Sequence, residues 1–103
     1  MNDWKTICNI DDIPPQGSRV VKTAQGDIAL FRTADDRVFA LDDRCPHKGG
    51  PLSQGIVSGG RVTCPMHGWL IEFEGGNAVA PDHGCVKRHE ARLDSGSVLL
   101  RIV

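Results

Sequence analysis

The sequence predicts an all-β fold, a small antiparallel sandwich or barrel with two ligand-bearing loops at one end. Two observations carry that expectation. Twelve glycines and six prolines break the 103 residues into short segments, few of them long enough for a stable helix. The apolar runs left between them are strand-sized and bounded by turn-forming residues. The length and the ordinary globular composition, 40% hydrophobic and 24% charged, fit one compact domain over residues 1–103.

The elements follow in chain order. Asp11-Asp12-Ile13-Pro14 reads either as one helical turn, with an Asp cap ahead of proline, or as an irregular loop. Val20–Lys22 leads to a turn at Gln25-Gly26, and Ile28–Arg32 to a turn at Ala34-Asp35-Asp36. Val38–Leu41 runs directly into a first cysteine loop. After Gly59-Gly60 come Arg61–Thr63, a second cysteine loop and Leu70–Phe73. Gly75-Gly76-Asn77 predicts a tight turn before Ala78–Ala80. Val86–Leu93 and Val98–Ile102, joined at Asp94-Ser95-Gly96, complete roughly eight short strands.

Composition excludes several functions. A net charge of −1 lacks the basic stripe of a nucleic-acid binder. No apolar run is long enough to span a membrane. Met1-Asn2-Asp3-Trp4-Lys5 lacks the layout of a signal peptide, so a cytoplasmic location is expected. In that reducing compartment four cysteines read as metal ligands or thiols rather than disulfides. They divide into two classes. Cys45 and Cys64 each have a histidine close by, whereas Cys8 and Cys85 have none and are expected to be plain buried thiols.

The pair Cys45-Pro46-His47 and Cys64-Pro65-Met66-His67 is the chemical centre of the chain. Prolines 46 and 65 stiffen the loops beside the cysteines, and Gly49-Gly50 and Gly68 permit close backbone approach. Three readings are open: unrelated residues, a structural zinc site, or a [2Fe–2S] cluster ligated by two cysteines and two histidines. Chance rarely produces two such hooks. Zinc hooks usually pair like ligands at wider spacing, so the single-residue gap between Cys45 and His47 suits zinc poorly. In a [2Fe–2S] centre each mixed hook would reach both irons, its Cys one and its His the other.

Cys45-Pro-His47 and Cys64-Pro-Met-His67-Gly68-Trp69 resemble the loops of the Rieske iron–sulfur proteins. The resemblance implies that Cys45 and Cys64 hold the inner iron, and His47 and His67 the outer, more exposed one. Two ferric ions, two sulfides and two thiolates sum to zero formal charge. Histidine ligation therefore makes reduction easier than four cysteines would. Rieske potentials span roughly −150 to +300 mV. High-potential members carry two further loop cysteines in a disulfide, and a Ser and a Tyr after the second His. Here the matching positions hold Gly50 and Met66, then Trp69 and Ile71. A low-potential cluster is the expectation.

No catalytic set of its own is visible, so the chain is expected to carry electrons within an oxidoreductase complex. Trp4–Cys8 with Ile10–Pro14, Ile28–Arg32 and Gly84–Lys87 resemble the small subunit of assimilatory NAD(P)H nitrite reductase. That resemblance implies a large partner subunit with flavin, sirohaem and a [4Fe–4S] cluster. The alternative is a stand-alone Rieske ferredoxin serving an aromatic-ring dioxygenase and its reductase. Of the remaining residues, Arg44 and Lys48 read as solvated charge and Trp69 and Leu52 as shielding. His83 and His89 read as structural or surface positions.

Overall fold

In the computed structural model the described residues are 4–24, 26–46, 49–66, 68–80 and 83–101. Among them are nine strands: β1 (Lys5–Asn9), β2 (Ser18–Thr23), β3 (Gly26–Arg32), β4 (Val38–Asp42), β5 (Ile56–Ser58), β6 (Arg61–Thr63), β7 (Leu70–Glu72), β8 (Arg88–Asp94) and β9 (Ser97–Arg101). All the pairings are antiparallel. Six strands form one sheet in the order β1-β9-β8-β4-β3-β2, and β5-β6-β7 form a second.

β3 explains how the two sheets share one molecule. Ile28, Ala29, Leu30 and Phe31 are all buried, the pattern of a strand covered on both faces. Side chains alternate, so Ala29 and Phe31 join Leu41 from β4 and Val57, Val62 and Ile71 from the small sheet. Ile28 and Leu30 instead join Val38, Ala40, Ile13, Val98 and Leu100. The large sheet thus curls over one of its faces and carries the small sheet on the other. Phe73 fastens them, its ring 4.9 Å from Phe31 and 5.2 Å from Phe39. No described helix is long and apolar enough to cross a membrane.

The all-β expectation holds, with local corrections. A 3₁₀ turn covers Ile10–Asp12, one residue ahead of the expected site, and the Asn9 amide donates to the Asp12 carboxylate at 3.0 Å. β1 and β5 were not expected. β1 is a half-polar edge strand that exists by pairing with β9 across a bulge, and β5 has only three residues. Ala78–Ala80 forms no strand. Among the described residues, the isolated bridges Ile71↔Ala78 and Asn77↔Cys85 tie this stretch down. Gly76, at φ +70°, bends the chain there so closely that an added Cβ would stand 2.3 Å from the Val86 carbonyl oxygen. The β8 ladder accordingly starts at Arg88, not Val86. The expected turn residue Gln25 and the strand end Ile102 lie outside the described residues.

Candidate metal centre

The two cysteine loops are one turn built twice. The Cys45 amide donates to the Gly50 carbonyl at 2.8 Å, and the Gly49 amide donates to the Cys45 carbonyl at 2.9 Å. In the second loop the Cys64 amide donates to the Trp69 carbonyl at 2.7 Å, and the Gly68 amide to the Cys64 carbonyl at 3.0 Å. Each cysteine is followed by proline and, four residues on, by a glycine in the left-handed region, φ +72° at Gly49 and +73° at Gly68. Glycine adopts that conformation without the strain a Cβ brings. In sequence His47 follows its cysteine by two residues and His67 by three.

Both turns are braced from behind. Asp43 accepts from the Ser53 amide at 2.7 Å and from its hydroxyl at 2.8 Å. The Ser18 hydroxyl donates to the Ser53 carbonyl, tying the 3₁₀ turn at Leu52–Gln54 to β2. Asp42, the last residue of β4, lies 2.7 Å from Nε2 of buried His89. Gly84 backs the first turn: an added Cβ would lie 3.1 Å from Cβ of Pro46. Gly55 leaves still less room, because a Cβ there would fall 2.1 Å from the Thr63 carbonyl oxygen.

The turns also touch each other. A Cβ built on Gly50 would lie 2.3 Å from Met66 Cγ and 3.5 Å from its Cβ. Cys45 and Cys64 are each only 2% exposed and belong to one apolar cluster with Leu52, against which Trp69 packs. None of the four cysteines is in a disulfide. Two soft sulfur donors, screened from bulk water and carried on matched turns, suit an iron–sulfur centre. His47, His67 and Lys48 lie outside the described residues. Among the described residues, no set of three or more His, Cys, Asp or Glu side chains gathers at metal-binding distance. The described part of the site is therefore its two cysteines.

Other predicted residues divide as follows. Arg44 is exposed and runs beside Gly49, as expected of solvated charge. Leu52 is fully buried behind the turns and Trp69 partly so, consistent with shielding. His83 is exposed and His89 structural. Cys8 is half-buried, and burial pushes its thiol up from the ordinary value, with Arg19 opposing and Asp12 adding to the shift. Cys85 is corrected: it is exposed, because the bridged stretch carrying it runs along the surface beside Arg44 and Pro46. Sequence reasoning missed Asp42, Asp43, Ser53 and Gly84. Asp42 and Asp43 directly precede Arg44-Cys45, which is a usable signal, but nothing local marks Ser53 or Gly84.

Comparison with known proteins agrees with this geometry. The family model of the Rieske [2Fe–2S] domain matches residues 3–90. A Mycobacterium tuberculosis structure assigned as an NADH-dependent nitrite reductase small subunit superposes with a TM-score of 0.86 at 26% identity, covering 97% of this chain and 95% of that one. Escherichia coli NirD gives 0.83 at 30%, covering 98% and 97%. A chain from the complex of reduced oxygenase and oxidized ferredoxin in carbazole 1,9a-dioxygenase gives 0.83 at 25%, covering 98% and 94%. Among curated proteins, TIC 55 of the Pisum sativum chloroplast is 34% identical over 94% of this chain. The chain spans only about a fifth to a quarter of the length of the first curated relatives it matches.

Proposed function

Since this chain belongs to the Rieske [2Fe–2S] family, we propose that it serves as the electron-carrying small subunit of an assimilatory NAD(P)H nitrite reductase. Cys45 and Cys64 would hold the inner iron, His47 and His67 the outer. When bound, the cluster supplies a one-electron redox couple. The protein's part is to fix the two sulfurs on hydrogen-bonded turns, exclude water with Leu52 and Trp69, and brace the first turn through Asp43. Specificity for the partner then lies in the surface around the two loops.

The observation that carries the reading is the end-to-end match to the Mycobacterium tuberculosis structure, in which nearly all of both chains superpose. A low potential accompanies it. Ile71 is fully buried and offers no hydroxyl, and Gly50 meets Met66 where a loop-to-loop disulfide would otherwise stand. The large subunit implied is a flavin and sirohaem protein that reduces nitrite to ammonia.

A second reading has an observation of its own. The equally complete match to the carbazole dioxygenase complex favours a ferredoxin for a ring-hydroxylating oxygenase. Co-purification from the native host separates the two. Recovery with a sirohaem protein supports the first, and recovery with an oxygenase or its reductase overturns it.

A further inference from the structure

Met66 sits in the second cysteine turn, yet its side chain lies on the first. Its Cγ would be 2.3 Å from a Cβ on Gly50 and its sulfur 3.5 Å, so only a glycine at 50 admits it in this position. Gly50 is itself buried, and its carbonyl accepts the Cys45 amide that closes the first turn. Met66 therefore packs on the peptide that shapes the loop bearing Cys45. Its own exposure is 54%, whereas Cys45 and Cys64 are 2% exposed. A small oxidant in solvent meets the Met66 side chain before it reaches either of those sulfurs.

We propose that Met66 latches the two cysteine turns together, and that its oxidation by peroxide to the sulfoxide releases the first turn. The step balances simply. The thioether sulfur attacks one peroxide oxygen, the O–O bond breaks, an S–O bond forms and water leaves, so sulfur is oxidised by two electrons and peroxide reduced. The product is polar, chiral and wider than the thioether. It cannot keep a close apolar seat on Gly50 while remaining hydrated, so the contact opens and the Cys45–Gly50 hydrogen bond is exposed to water. The latch rests on the twin turns being the cluster loops, and the test separates failure of that reading from failure of the latch.

Wild type, Met66→Leu and Met66→Gln are prepared anaerobically as the full chain and exposed to limiting hydrogen peroxide. Leucine keeps volume and apolarity without the oxidisable sulfur, and glutamine imitates the polar product. The expected result is one added oxygen on the Met66 peptide of wild type, with cluster colour lost several-fold faster than in Met66→Leu. Met66→Gln loses colour at the oxidised wild-type rate without peroxide. Hydrogen exchange of the Cys45 amide is faster in oxidised wild type and in Met66→Gln, and unchanged in Met66→Leu. Equal colour loss in wild type and Met66→Leu overturns the proposal, as does oxidation of Met66 with unchanged Cys45 exchange. If the preparations are colourless the exchange arm alone decides the latch, and the cluster reading fails separately. Cys85, exposed in every variant, oxidises equally in all and cancels in the comparison.

Discussion

Gly49 and Gly68 hold the same backbone conformation, φ +72° and +73°, each four residues beyond a cysteine whose carbonyl accepts its amide. A side chain at either position strains the turn that presents the ligand. A Cβ at Gly68 would meet no described atom within 4 Å, so its penalty is conformational alone. Gly68→Ala is expected to cost about 1 kcal/mol, with part recovered by Gly68→Asn, because asparagine tolerates the left-handed region. Thermal unfolding of the two variants checks this. An alanine variant as stable as wild type would contradict the turn geometry.

Asp43 is predicted to matter more to the first turn than its position outside the hook implies. Its carboxylate takes both the amide and the hydroxyl of Ser53, and hydrogen bonds to charged groups are worth about 1.5–3 kcal/mol. Asp43→Ala should lower stability by an amount of that order and accelerate cluster loss, while Ser53→Ala, which keeps the amide bond, should cost less. Chemical denaturation together with the decay of visible absorbance measures both. Equal effects from the two substitutions would show that the Ser53 amide bond to the carboxylate contributes nothing.

Acid stability should carry a contribution from Asp35. The Thr33 hydroxyl bonded to its carboxylate, helped by Arg37, holds its pKa below the ordinary 3.8. A depressed folded-state pKa adds stability that is fully present above 3.8 and lost as pH falls through the lower folded value. The effect is small, because Asp35 is exposed. The stability difference between wild type and Asp35→Asn should therefore be constant near neutrality and shrink only below 3.8. A difference that changes near neutral pH would contradict the assignment.

The reduction potential should fall toward the lower end of the roughly −150 to +300 mV Rieske range. Neither Trp69 nor Ile71 carries a hydroxyl that could donate to a cluster sulfur. An anaerobic redox titration checks this directly, and a midpoint well above zero would show that other hydrogen-bond donors compensate.

The strand framework was legible in sequence where strands are buried on both sides. Ile28–Phe31 and Val38–Leu41 are continuous apolar runs, the first wholly buried and the second buried except at Phe39, which is partly exposed. β1 is not marked in the sequence because Lys5-Thr6-Ile7-Cys8-Asn9 shows no alternation, and this edge strand acquires its identity from β9, more than ninety residues away at the Lys5↔Leu100 pairing. Ala78–Ala80 looked like a strand by composition, but the bend at Gly76 depends on the Val86 carbonyl across the fold. For the site, the cysteines and their turn formers stood out as a linear pattern. The Asp43–Ser53–Ser18 brace and the Gly84–Pro46 contact join distant segments, and no local spacing encodes them.

Pulsed electron paramagnetic resonance of the dithionite-reduced protein probes the proposed ligation by Cys45, His47, Cys64 and His67. Two strongly coupled imidazole nitrogens are expected in wild type, with one lost in His47→Cys and the other in His67→Cys. A reduced spectrum with no nitrogen coupling, or a colourless protein holding only zinc, would contradict it.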